Sequence, residues 1–92
     1  MTTQTLMEAD RYLVNKGFVC TPLTDLGDQY QARYTFGRFK TKTDSGITLT
    51  LHDYGDGRWT YSPIGFSKGL DEMVREVNEA LRRLPGFEPD RI

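Results

Sequence analysis

A glycine-rich turn between two alternating segments constrains the fold more than any other feature of this sequence. Residues 46–54 alternate between apolar and polar side chains, and a second alternating segment follows Gly55-Asp56-Gly57. This pattern is typical of an antiparallel hairpin. A two-residue loop would put Trp59 and Tyr61 on the polar face of the strand pair. A three-residue loop, with Gly57 in the left-handed conformation, places both rings on the apolar face. Burial of two large aromatic side chains is worth several kcal/mol, so we predict the three-residue loop.

The remaining strand signals lie on either side of this hairpin. Alternation over residues 29–36 predicts a half-buried strand, and the strand after the turn is expected from about Arg58 to Ser62, with Pro63 ending it. Residues 19–28 contain Pro22 and Gly27 without clear periodicity, which indicates a connection. Residues 37–45 are interpreted as a long basic connection that could extend the neighbouring strands as a hairpin arm.

Helices are predicted at both ends of the chain. Thr5 and Glu8 form a capping-box pattern, which predicts a helix from about Thr5 to Lys16 that stops at Gly17. Ser67 is a candidate N-cap for a second helix, which Pro85-Gly86 closes. That helix has a continuous apolar stripe made of Leu70, Met73, Val74, Val77, Ala80, Leu81 and Leu84.

These elements predict an α+β fold: a helix, a three-stranded antiparallel sheet (or, alternatively, a four-stranded one) and a second helix. We expect both helices on one face of the sheet. The 92 residues fit a single domain over 1–92, with an ordered core over about 5–84 and a flexible C-terminal tail over 87–92 unless Phe87 folds back. The uncovered face would carry Gln31, Arg33, Thr35, Thr48, Thr50, His52, Arg58, Thr60 and Ser62.

Charge and cysteine content narrow the setting of the protein. The net charge is −1, so there is no overall field to attract nucleic acid. Cys20 is alone and has no disulfide partner, and no stretch resembles a membrane helix or a signal peptide. We therefore expect a cytoplasmic protein that does not bind membranes. The charge is uneven, because residues 29–43 contain four cations and no anion.

The residues for catalysis or metal binding are sparse. His52 is the only histidine and Cys20 the only cysteine, which leaves no spacing for a zinc site. The segment from Asp53 to Gly57 resembles a calcium loop weakly, but it lacks the bidentate glutamate farther on. His52 and Asp53 should point to opposite faces of a strand, so they make no acid–base pair. We expect no enzyme activity, no catalytic residue, no metal and no cofactor.

The order of helix, three strands and helix resembles the double-stranded RNA-binding domain over Thr5 to Leu84. At sequence level, Gly65-Phe66-Ser67-Lys68 before a helix that ends in Ala80-Leu81 is similar to that family's entry into its last helix. The resemblance implies nucleic-acid binding, with residues 37–45 entering a minor groove. The family's lysine cluster at this helix start is absent. Only Lys68 is present, and the acidic residues Asp71 and Glu72 follow it.

The favoured function is that of a small protein-binding module, because a free sheet face beside a basic loop presents a surface rather than a cleft. Phage-encoded inhibitors of bacterial defence complexes of the CRISPR kind are commonly of this size, and such an inhibitor is our more specific hypothesis. Nucleic-acid binding is the alternative, and an inert homodimer subunit is a third interpretation. The predicted contact residues are Arg33, Arg38, Phe39, Lys40, Lys42, His52 and Arg58.

Overall fold

Two helices flank four consecutive antiparallel strands in the computed structural model, which describes residues 1–26, 29–38, 45–64 and 69–89. The predicted α+β class is confirmed, with the four-stranded alternative rather than three strands. Each strand pairs with the next in sequence, so the sheet order is β1-β2-β3-β4. The elements are α1 (Thr3–Asn15), β1 (Val19–Leu26), β2 (Gln29–Gly37), β3 (Gly46–Asp53), β4 (Trp59–Ile64) and α2 (Asp71–Arg82).

The first strand corrects the prediction of a connection over residues 19–28. β1 pairs with β2 from Val19↔Thr35 to Leu26↔Gln29 and forms one edge of the sheet. Its register shifts between Pro22 and Thr24, which breaks the two-residue period that would have revealed the strand. Proline is tolerated here because an edge strand needs hydrogen bonds on one side only.

The hairpin between β3 and β4 has the predicted three-residue loop. Tyr54 N donates to Arg58 O at 3.1 Å, and Gly57 has a φ of +89°. Asp53 therefore lies opposite Trp59, and Leu51 lies opposite Tyr61. Both aromatic side chains are buried, with 0% of Trp59 and 7% of Tyr61 exposed.

β4 continues to Ile64, so the prediction that Pro63 ends this strand is wrong. Because Tyr54 and Arg58 form a hydrogen-bonded pair, alternation along the ladder makes Leu49↔Pro63 a non-hydrogen-bonded pair. The proline nitrogen then faces away from β3 and costs the ladder no hydrogen bond.

The end of the chain covers the outer edge of β4. Trp59 N donates to Gly86 O at 3.0 Å, and Glu88 N donates to Trp59 O at 2.9 Å. Phe87 thereby forms a parallel bridge with Trp59, and their ring centroids lie 5.3 Å apart in an edge-to-face arrangement. Of the two expectations for Phe87, the structure has the one in which it folds back. This contact closes part of a sheet edge that would otherwise expose unpaired backbone groups.

The first helix begins earlier than the capping-box pattern predicted. Its N-cap is Thr2, whose hydroxyl accepts from Thr5 N at 3.1 Å, whereas Thr5 itself is buried inside the helix. The predicted cap at Thr5 is therefore wrong by one turn. The predicted stop is confirmed: Gly17 has a φ of +104°, and Phe18 N donates to Leu13 O.

The second helix begins at Asp71 with Leu70 at the N-cap position, and no side chain caps it. The predicted start at Ser67 is therefore wrong, and Ser67 itself lies outside the described residues. Asp71 and Glu72 occupy the first turn, where the helix dipole favours carboxylates. Val77 and Leu81 are the buried members of the predicted apolar stripe.

Both helices contact the same face of the sheet. In the pairing register, Tyr34 lies opposite Leu49 and Tyr61 opposite Leu51, and β3 residues two apart share a face. The Tyr34 hydroxyl donates to Asp10 of α1 at 2.9 Å, and the Tyr61 hydroxyl donates to Asn78 of α2 at 2.5 Å. The core between these layers is made of Ala9, Leu13, Phe18, Ala32, Tyr34, Ile47, Leu49, Leu51, Trp59, Tyr61, Val77 and Leu81.

The two helices are also tied to each other at the surface. Lys16 Nζ lies 2.7 Å from Glu76 Oε2, and the Tyr12 hydroxyl donates to the Glu76 backbone oxygen at 3.3 Å. The hydrogen bond from Lys16 holds the pKa of the Glu76 carboxyl below its ordinary value. Because the pKa is lower in the folded than in the unfolded protein, the Glu76 carboxylate stabilises the fold at pH values above its unfolded-state pKa. This stabilisation is lost as the pH falls through the folded-state pKa.

The fold predicts that truncating the buried indole is costly. Trp59→Ala should lower the free energy of unfolding by about 3–5 kcal/mol, because the side chain is fully buried and the remaining cavity is only partly filled. Urea denaturation followed by circular dichroism measures the change. Val19→Thr is a matched β-strand control on an exposed residue and should change stability by less than about 0.5 kcal/mol. Similar values for the two variants would contradict the assignment of faces.

The link between the helices has its own test. Lys16→Met should raise the pKa of Glu76 back towards its ordinary value, because the hydrogen bond and the neighbouring positive charge are both removed. Carboxyl titration by NMR measures this directly. An unchanged Glu76 titration in the Lys16→Met protein would show that the two side chains do not interact in solution.

Candidate binding surface

The face of the sheet opposite the helices carries the residues predicted to be uncovered. The register aligns all of them except Arg58, together with Val19 and Thr21 of β1, in three cross-strand rows: Val19, Thr35 and Thr48; Thr21, Arg33, Thr50 and Ser62; and Gln31, His52 and Thr60. We call these ten residues the open face. They include five threonines and one serine, so hydroxyl groups dominate the surface. β-Branched threonine fits a pleated strand because its χ1 angle is already restricted.

Arg33 is the one charged side chain in these three rows. It is exposed, it lies between Thr21 and Thr50 on neighbouring strands, and no ion pair involves it among the described residues. None of the ten positions is a carboxylate. The arginine therefore gives a flat, otherwise neutral surface a single positive centre.

Thr60 differs from the prediction of an uncovered residue. It belongs to the open face by register, opposite His52, yet only 2% of it is exposed. Gly86 to Glu88 run along the outer side of β4 next to it, so this corner of the sheet is more enclosed than its centre. Every buried side-chain nitrogen or oxygen among the described residues has a hydrogen-bond partner.

His52 is held in a small polar and aromatic cluster. Its Nδ1 lies 2.6 Å from the Gln31 side-chain nitrogen, and its ring centroid is 4.6 Å from that of Tyr54. With the Gln31 amide as donor, the neutral ring carries its proton on Nε2. The neighbouring carboxylate, Asp53, lies on the opposite face, where it binds the Met1 amino group at 2.8 Å and accepts from Gly55 N at 3.1 Å. His52 thus has no acid–base partner in Asp53.

Arg58 is engaged within its own turn rather than extended towards solvent. Its guanidinium forms a two-pronged ion pair with Asp56 Oδ2, and its Nε also lies 3.7 Å from Glu88 Oε2. The hydrogen bond that Arg58 donates to Asp56 is the largest cause of the raised pKa of Arg58. The sequence could reveal the Asp56 contact from its two-residue spacing, but the approach of Glu88 depends on the folded-back chain end.

The predicted basic loop joins the other end of the open face. Arg38 N donates to Ser45 O at 3.1 Å, which closes the hairpin between β2 and β3, and the Arg38 side chain is exposed. Phe39, Lys40 and Lys42 lie outside the described residues. Of the predicted contact residues, Arg33 and His52 therefore share the open face, Arg38 begins the loop, and Arg58 is at the opposite end.

Cys20 and His52 lie on opposite faces of the sheet. Cys20 pairs with Tyr34, whose side chain points into the core, whereas His52 is in an open-face row. Burial, followed by the hydrogen bond to Asp10, raises the pKa of the Tyr34 hydroxyl well above its ordinary value. Cys20 itself is half-buried and packs against the core. Among the described residues, no group of three His, Cys, Asp or Glu side chains could hold a metal ion.

Comparison with known protein families, curated proteins and solved structures finds no match for the chain. The helix–four strands–helix order also has one strand more than the order on which the resemblance to the double-stranded RNA-binding domain rests. In the described ranges, neither helix has the length and apolar character needed to cross a membrane.

The engagement of Arg58 can be tested through its carboxylate partner. Asp56→Ala should speed hydrogen exchange of the Arg58 Nε proton with solvent, because its shortest hydrogen bond to a carboxylate is lost. The exposed Arg75, whose Nη2 lies 3.7 Å from Glu72 Oε1, provides an internal control in the same NMR spectra. Equal exchange rates for Arg58 before and after the substitution would contradict the turn-bound arrangement.

Proposed function

We propose that this protein is a small, non-catalytic protein-binding module whose partner presents an acidic surface to the open face and the adjoining basic loop. The observation that carries the proposal is Arg33, exposed at the centre of four paired strands with no carboxylate at any open-face position. An arginine in this setting suits a partner carboxylate, because its planar guanidinium donates two parallel hydrogen bonds.

The rigidity of the open face supports such a role. Thr48 and Thr50 lie on β3, which is paired on both sides, so their backbone is already ordered before a partner arrives. Threonine also loses little rotamer freedom on binding, in contrast to lysine or glutamate. Both effects reduce the entropy that an interface must offset.

The shape of the surface supports binding rather than catalysis. His52 is bonded to Gln31 and stacked near Tyr54, while Cys20 is on the other side of the sheet. The structure therefore keeps His52 apart from Cys20, the pair that nucleophilic catalysis would need. In keeping with this proposal, a Cys20→Ala protein that folds normally should keep its biological activity, and loss of that activity would contradict it.

A phage-type inhibitor of a bacterial defence complex is the specific form of this proposal that we carry forward. Two features support it: the small size of the domain, and a preorganised sheet surface on which Arg33 is the one cation. An inhibitor that acts by occupying a site on a larger complex requires binding and no chemistry. Mixing the protein with purified CRISPR effector complexes and measuring their nuclease activity tests this form separately from binding in general.

Nucleic-acid binding is the second candidate, and two observations favour it. The predicted loop combines Arg38, Phe39, Lys40 and Lys42, and the ring of the open-face residue His52 lies 4.6 Å from the Tyr54 ring. Cations mixed with aromatic rings are typical of surfaces that bind phosphates and stack bases. Gel shifts with duplex and single-stranded RNA and DNA over a range of salt concentrations distinguish this candidate, because phosphate contacts weaken steeply with salt.

The central experiment reverses charge on the proposed surface. Two variants, Arg33→Glu and a triple variant in which Arg38, Lys40 and Lys42 are all changed to Glu, should no longer capture the partner from a host lysate. Their circular dichroism spectra should remain unchanged. Reversal places like charges against an acidic partner, which costs more than simple removal. Normal capture by both variants would refute the proposed surface.

The matched control reverses charge on the helices. Glu8→Lys with Glu79→Lys changes exposed side chains for which the structure shows no ion pair among the described residues. This double variant should bind normally. Glu76 is unsuitable as a control site, because it is tied to Lys16 and its reversal would place two lysines together. If the helix variant loses binding instead, the working surface lies on the helices.

A further inference from the structure

The residues that fold back onto β4 after α2 lie on the surface of the protein. Of residues 85–88, which we call the strap, two are exposed and two are half-buried. Three hydrogen bonds attach the strap to Trp59, two through its backbone and one through its indole nitrogen. Outward-facing backbone groups recur at every second residue of an edge strand, so the next ones belong to Tyr61. In the described residues, no hydrogen bond joins the Tyr61 backbone to the strap, which therefore pairs with the first residue of β4 and goes no farther.

The residues on either side of Phe87 are selected by their surroundings. Gly86 has a φ of +82°, and a side-chain carbon added to it would overlap the backbone oxygen of Gly57 in the hairpin loop. Glycine is therefore the residue that fits this position. Glu88 Oε2 lies 3.7 Å from Arg58 Nε, so the position after the aromatic residue favours a carboxylate.

Phe87 lies among three side chains of the folded domain. Its ring centroid is 5.3 Å from that of Trp59 and 5.4 Å from that of Tyr61. The guanidinium carbon of Arg82 lies 5.6 Å from the same centroid. Aromatic pairs and cation–π contacts are both favourable at these separations. The three side chains thus form a site for an aromatic ring at the β4 edge.

We propose that the β4 edge is a peptide-binding site that accepts an extended segment of a partner protein, and that the strap occupies this site in the free protein. The strap shows the chemistry that fits: a glycine, an aromatic residue and an acidic residue in consecutive order, paired parallel to β4. Addition of a strand to a sheet edge is an established mode of peptide recognition, in which backbone hydrogen bonds give affinity and side-chain sites give specificity.

The short pairing of the strap favours its exchange for a partner. A longer partner segment gains hydrogen bonds with the Tyr61 backbone that the strap does not make. Release of the strap also leaves both helices on the sheet, because the strap follows α2 on the surface. The site lies at the β4 edge and not on the open face, so it is tested independently of the function proposed above.

Hydrogen exchange of the wild-type protein tests whether the strap opens by itself. Relative to its intrinsic rate, the Glu88 amide should exchange at least roughly a hundredfold faster than the Leu51 amide of the central strand β3. The reason is that opening of the strap leaves the core in place. Equal protection of the two amides would show that the strap opens only with the whole fold, and would overturn the proposal.

Binding of a separate peptide tests the site itself. The probe is a peptide of residues 84–89 with blocked ends, and the signal is the fluorescence of Trp59, the only tryptophan. Gly86→Ala should release the strap in the full chain, because the new side chain overlaps Gly57 O. The peptide should then bind this variant at least roughly tenfold more tightly than the wild type, whose own strap competes for the site. Phe87→Ala is a second way to vacate the aromatic site and should also bind the peptide more tightly. Absence of saturable binding to both variants would overturn the proposal.

Two controls establish whether the binding is specific. Gly69→Ala adds a side chain at a similar φ of +95° where nothing lies within 4 Å, so this variant should bind the peptide as the wild type does. A peptide with the Phe87→Ala change should bind the Gly86→Ala protein at least roughly tenfold more weakly than the natural sequence. Equal binding of the two peptides would overturn the proposed recognition. A wild-type dimer that the peptide dissociates would assign the site to the strap of a second copy, and would overturn the proposal of a different partner.

Discussion

The register of the hairpin between β3 and β4 is the constraint on which the rest of the structure depends. Because side chains alternate along a strand, a shift of one residue would turn Trp59 and Tyr61 from the core to the open face. The left-handed conformation of Gly57 allows a three-residue loop, which sets Trp59 opposite Asp53. The Trp59 ring is then fixed by a hydrogen bond of 2.8 Å from its Nε1 to the Pro85 backbone oxygen. This hydrogen bond joins the first residue of β4 to a residue that follows α2.

The two faces of the sheet follow from this register. One face receives both helices, and its tyrosines are hydrogen-bonded to them: Tyr34 to Asp10 and Tyr61 to Asn78. The other face retains rows of hydroxyl groups around Arg33. The chain end covers the β4 edge through Phe87, whereas β1 relies on Pro22 and its irregular register to remain unpaired.

Local patterns were sufficient to predict most of the fold. β2, β3 and the burial of Trp59 follow from alternation and turn chemistry, which depend on neighbouring residues alone. β1 was missed because an irregularity beside Pro22 disrupts its period and because its edge position tolerates polar residues. The starts of both helices differ from the predictions: α1 has Thr2 and Thr5 as alternative caps, whereas α2 begins after Leu70 with no side-chain cap at all. Thr2, not Thr5, caps α1 because Thr5 is required in the core.

The candidate surface was less predictable than the fold. Arg33 was placed correctly because its position follows from strand alternation. Arg58 follows the same alternation, yet it is engaged by Asp56 and by Glu88, and the second contact joins residues far apart in sequence. The buried state of Thr60 likewise depends on the folded-back chain end. Contacts of this type arise from the tertiary structure, and no local pattern carries them.

The most direct test of this account is the pairing across the hairpin in solution. Since Tyr54 and Arg58 form a hydrogen-bonded pair, Asp53 and Trp59 form the next, non-hydrogen-bonded pair, in which the two Cα atoms approach most closely. The account predicts a strong nuclear Overhauser effect between the Hα protons of Asp53 and Trp59, and another between those of Leu51 and Tyr61. Strong effects from Trp59 Hα to His52 or Tyr54 Hα instead would show a shifted register, reverse the two faces and contradict the account.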